Sequence, residues 1–69
     1  MKNHNKIRMC LSVWCSDMDL YNSMVENFGY EGSPSTLSRE RRKVVGITDR
    51  LRPNKKGVMF KQFKFGGKK

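Results

Sequence analysis

The sequence predicts an α+β fold in which three helices precede a two-stranded β-hairpin. Three observations carry that prediction. Between Asn3 and Phe28 the apolar residues recur with a helical period in two separate runs. Ser33-Pro34 then has the form of a helix start behind a glycine-bearing break, and after Gly46 the pattern changes to two β-prone runs joined by turn residues.

Each element follows from its own residues. Ile7, Cys10, Leu11 and Trp14 fall at i, i+3, i+4 and i+7, which is one face of a helix expected over about residues 3–15. Ser16 is a helix-capping residue with Asp17 and Asp19 in the first turn, where acids favour the helix dipole. Leu20, Tyr21, Met24, Val25 and Phe28 continue one apolar face, so a second helix is expected over 17–28. Gly29 and Gly32 break it, because glycine accepts the left-handed backbone of a tight helix exit. A third helix is expected over 34–45, with Ser33 as cap and Pro34 at the first position, where its missing N–H loses nothing. Ile47 to Leu51 and Val58 to Phe65 read as strands of a hairpin over about 47–65, and Arg52-Pro53-Asn54-Lys55-Lys56-Gly57 supplies the loop. Phe63 and Phe65 share one parity and Phe60 has the other, so Phe60 covers the opposite face or a bulge intervenes. Residues 66–69 are expected to form a frayed tail.

Sixty-nine residues have room for one domain, taken as 1–69, and for a core of about a dozen side chains. No apolar run approaches the roughly 20 residues of a membrane span, and polar Met1 to Arg8 lacks the apolar run of a signal peptide. Cytoplasmic residence is expected. Cys10 and Cys15 fit neither a zinc nor a redox spacing and read as reduced thiols, and His4 has no ligand partner, so no metal or cofactor is expected. Nucleophilic and acid–base catalysis need convergent groups that the scattered acids and one histidine do not supply, so the chain does not read as an enzyme, nor as a binder of a small-molecule substrate.

Charge is the strongest functional signal. The formal net charge is +9, and it is unevenly spread. Lys2, Lys6 and Arg8 are outweighed by Asp17, Asp19, Glu26 and Glu31, whereas residues 39–69 hold twelve bases against Glu40 and Asp49. A field of this density attracts a polyanion and releases its counterions on binding, which points first to nucleic acid.

On the third helix, at about 100° per residue, Leu37, Val44 and Val45 gather on one side. Ser35, Arg39, Arg42 and Lys43 gather on the other, with Thr36 and Ser38 flanking. Arginine can pair with guanine edges in the major groove, and hydroxyls near a helix start can reach phosphates or bases. In the hairpin, Arg52, Lys55 and Lys56 are expected to neutralise phosphates, with Lys61 and Lys64 along the same flank. Trp14, Tyr21 and Phe28 are expected in the core.

The order of elements, together with Ser33-Pro34-Ser35-Thr36-Leu37-Ser38-Arg39, resembles the winged helix-turn-helix family, in its small phage and bacterial regulators. That resemblance implies a recognition helix in the major groove and a hairpin wing on the backbone or minor groove. It implies a sequence-specific duplex DNA-binding protein: a transcription regulator or a recombination or replication accessory factor in a bacterial or phage-infected cell. Arg41 departs from the family, which has an aliphatic there, and must snorkel or pair with an acid of the first two helices. A protein-binding inhibitor on the same scaffold is the alternative. RNA is a weaker third, because the basic residues are not interleaved with exposed aromatics as in sheet-type RNA readers. Without a spare helix for a dimer interface, the chain is expected to be monomeric alone and to meet a second copy or another protein on DNA.

Overall fold

The computed structural model describes residues 3–66. Three helices, α1 (His4–Cys10), α2 (Asp17–Phe28) and α3 (Pro34–Lys43), are followed by strands β1 (Ile47–Pro53) and β2 (Met59–Phe65). This is the α+β arrangement of a winged-helix layout. The tail expected at 67–69 lies outside the described residues, and Gly66 donates its N–H to the Gly46 carbonyl at 2.9 Å, so it is tied rather than frayed.

The second helix has both ends built from local chemistry. Ser16 Oγ accepts from the Asp19 N–H at 3.2 Å, and the Asp19 carboxylate accepts from the Ser16 N–H at 3.5 Å, closing a capping box. At the other end Gly29 adopts a left-handed φ of 65°, which lets the N–H groups of Gly29 and Tyr30 reach the Val25 and Met24 carbonyls. The expected 17–28 boundaries hold.

The first helix is shorter than its apolar stripe suggests. It stops at Cys10, and the chain straightens so that Cys15 exchanges two backbone hydrogen bonds with Phe63, at 3.0 and 2.7 Å. The Phe65 N–H also reaches the Leu11 carbonyl at 2.8 Å. Continuing the helix to residue 15 would leave this edge of β2 unpaired and Cys15 outside the core, so tertiary pairing overrides the helical period. Trp14 accordingly leaves the helix and the core. α3 also ends early, at Lys43: Val44 takes an extended conformation and remains buried, while Val45 points outward at 83% exposure rather than joining Leu37.

β1 and β2 pair antiparallel in an unbroken register from Ile47↔Phe65 to Pro53↔Met59, which excludes a bulge and sets Phe60 on the face opposite Phe63. β2 lies between β1 and the bridge at Cys15. The inner face of this sheet closes a core of Ile7, Leu11, Cys15, Leu20, Met24, Leu37, Val44 and Phe63, with Tyr21, Phe28, Tyr30 and Ile47 packed around it. Each fully buried aliphatic stabilises the fold by about 1.5 to 3 kcal/mol.

Candidate nucleic-acid interface

The geometry of α3 follows from its two buried residues. Leu37 enters the core, and Arg41, four residues later, is 8% exposed. Its guanidinium donates from Nε to Asp17 Oδ1 at 2.7 Å and from Nη2 to Oδ2 at 3.3 Å, and its Cζ lies 3.7 Å from the centre of the Phe63 ring. Pairing with an acid of the second helix was one of the two solutions open to this arginine. A two-pronged bond of this kind fixes orientation as well as charge.

With Leu37 and Arg41 turned inward, Ser35, Thr36, Arg39, Arg42 and Lys43 are exposed on the other side, and Ser38 is half-buried. The start of the helix is held by Ser33, whose Oγ accepts from the Thr36 N–H at 3.2 Å and lies 3.0 Å from its hydroxyl. Glu40, the helix's one acid, accepts from Asn3 Nδ2 at 3.3 Å, away from the arginine stripe. The exposed face is therefore cationic, and neither ion pair found among the described residues involves Arg39, Arg42 or Lys43.

The hairpin loop is more ordered than a bare flexible connection. Asn54 Oδ1 accepts from the N–H groups of Lys56 and Val58 at 2.8 and 3.0 Å, and the Asn54 N–H reaches the Val58 carbonyl at 2.9 Å. Arg52, Lys55 and Lys56 are all exposed around it. Lys61 and Lys64, expected on one flank, lie on opposite faces of β2. Lys61 is on the inner face, 3.8 Å from the Asp49 carboxylate, so part of its charge is offset. Between the end of α3 and this inner face is an open concavity of about 260 Å³, bordered by Arg41, Arg42, Val44, Ile47, Asp49 and Phe63. Beyond it Leu51 and Met59 project from the inner face, 56% and 52% exposed, an apolar feature that the imperfect alternation of the strands concealed.

The outer face of the hairpin was also missed. Its register places Arg50, Arg52, Phe60, Gln62 and Lys64 together, with Trp14 beside them. Basic residues and aromatics are thus interleaved on this face, contrary to the expectation from the sequence, because the register and the Cys15–Phe63 bridge bring together residues far apart in the chain.

Among the described residues, no group of three His, Cys, Asp or Glu could hold a metal ion, and Cys10 and Cys15 are free thiols. Burial raises both thiol pKa values above the ordinary range; the charge of Asp19 adds to the effect at Cys15, and a hydrogen bond with Asn27 opposes it at Cys10. Neither is activated as a nucleophile. No helix among the described residues is long and apolar enough to cross a membrane. The chain matches no family model, no curated protein and no solved structure.

Proposed function

We propose that the chain is a sequence-specific duplex DNA-binding protein that reads the major groove with α3 and touches the backbone with its hairpin loop. The observation that carries this reading is the exposed stripe of Ser35, Arg39, Arg42 and Lys43 on a capped helix whose other side is locked by Leu37 and the Arg41–Asp17 pair. Arg39 lies one turn inside the helix start, where recognition helices touch base edges. Ser35, Thr36 and Ser38 flank it with hydroxyl donors, and Arg52, Lys55, Lys56 and Lys61 serve as phosphate anchors. The role is that of a phage or bacterial regulator, or an accessory factor of recombination or replication, working in the cytoplasm.

The division into readers and anchors is directly testable once a bound sequence has been selected from a random pool. Arg39→Ala should cost about 1 to 3 kcal/mol on that site and little on scrambled duplex. Lys55→Ala should weaken both alike and reduce the slope of log affinity against log salt by about one. Equal losses for both variants on both DNAs would reduce the protein to a non-specific polycation. Unchanged DNA binding in both would favour a protein partner instead.

A further inference from the structure

The outer face of the hairpin holds two cations in an arrangement that α3 does not explain. Arg50 Cζ lies 4.2 Å from the centre of the Trp14 ring, and Lys64 Nζ lies 6.0 Å from it. Arg50 Nε donates to Gln62 Oε1 at 3.0 Å, so the guanidinium plane is fixed by a neutral partner on one side and the indole on another. Its two Nη groups lie outside that bond. The ion pairs among the described residues are Arg41–Asp17 and Lys61–Asp49, and neither involves these two cations. Like charges held side by side repel, and an anion from outside relieves that repulsion. A guanidinium already locked in one orientation loses little freedom on binding a phosphate.

This face is turned away from α3. Phe63 and Ile47, on the inner face, pack toward the core, and Arg41 of α3 covers the Phe63 ring from that side. We propose that Arg50 and Lys64 form a second phosphate-binding surface that takes the backbone of a duplex segment other than the one on α3, so that the chain bridges two segments of DNA. The first of those two partners rests on the duplex-binding reading above. Because guanidinium and ammonium already cover the indole, Trp14 supports the cations rather than offering its ring to a base, which favours duplex phosphate over a single strand.

The test combines bead capture with tryptophan emission, since Trp14 is the only tryptophan. An immobilised duplex should retain a second, labelled duplex through the wild-type protein. Arg50→Gln/Lys64→Gln should reduce that capture by about tenfold or more, while gel-shift affinity for one short duplex, measured at low salt, changes by less than about threefold. Lys64→Gln alone, which leaves the Arg50 clamp intact, should lower capture in the same direction and guards against a fold defect in the first variant. In Arg39→Ala/Arg42→Ala, duplex should still shift Trp14 emission. Undiminished capture in both outer-face variants, or an emission that duplex leaves unmoved, overturns the proposal. So does an emission that responds to oligo(dT) and not to duplex. Failure of the α3 reading looks different: Arg39→Ala/Arg42→Ala then keeps full single-duplex affinity, and only the outer-face variants lose it.

Discussion

Arg41 shows how one side chain joins the core to the exposed cationic face of α3. Its guanidinium is nearly buried, whereas Asp17 is 44% exposed on its side chain, so water screens the acid but not the base. Removing the acid is therefore the more damaging change. Asp17→Ala should destabilise the protein by about 2 to 3 kcal/mol, since it strands a desolvated cation and also removes a first-turn acid from α2. Arg41→Leu, which refills the site with apolar volume, should shift stability by less than about 1 kcal/mol. Urea unfolding of the two variants checks the order, and a larger loss for Arg41→Leu would refute it. The inward position of residue 41 was implied by the resemblance to winged helices, which carry an aliphatic there. Its choice of Asp17 was not, because sequence offered several acids and only the approach of α2 to α3 selects one.

At the scale of elements, local chemistry was readable and long-range pairing was not. Ser16 with Asp19, and Gly29 with its left-handed backbone, delimit α2 from within, and the Pro-Asn-Lys-Lys-Gly loop turns the hairpin by itself. By contrast, the end of α1 is decided by Phe63, which no window around Cys10 contains. The same pairing moves Trp14 to the outer sheet face, and so the cluster with Arg50 and Lys64 could not be seen from spacing. The start of α3 gives an element-level prediction. Ser33→Ala should lower stability by about 1 kcal/mol through the lost cap, and Ser33→Asp should restore it. If the first turn of α3 faces phosphate, Ser33→Asp should nevertheless bind duplex less tightly than wild type. Thermal unfolding and a binding titration separate the two effects, and equal affinity for Ser33→Asp and wild type would argue against a phosphate at that helix end.

For the whole molecule, two thiols and one phenol act in the same direction. Burial raises the pKa values of Cys10, Cys15 and Tyr30, with Glu40 and Tyr21 adding to the effect at Tyr30. Each is neutral when protonated, so the folded state favours the protonated form. The unfolded chain releases these protons first as pH rises. Their contribution to stability is complete below the unfolded values, of which thiols are the lowest at about 8.5, and is lost as pH climbs through the folded ones. The urea midpoint should therefore fall above about pH 8.5, and Cys10→Ala/Cys15→Ala should flatten the first part of that fall. A decline of equal steepness in the double variant would assign it to other groups.

The bridge between Cys15 and Phe63 has a consequence for how the chain acquires its structure during synthesis. All three helices leave the ribosome before β2 does, yet Leu11 and Cys15 find their backbone partners only on β2. Closing so long a loop is entropically slow, and the core lacks Phe63 until it happens. A nascent chain halted before Phe63 has emerged should present α1 and α2 with an unsealed apolar side, a substrate for chaperones and proteases rather than a finished domain.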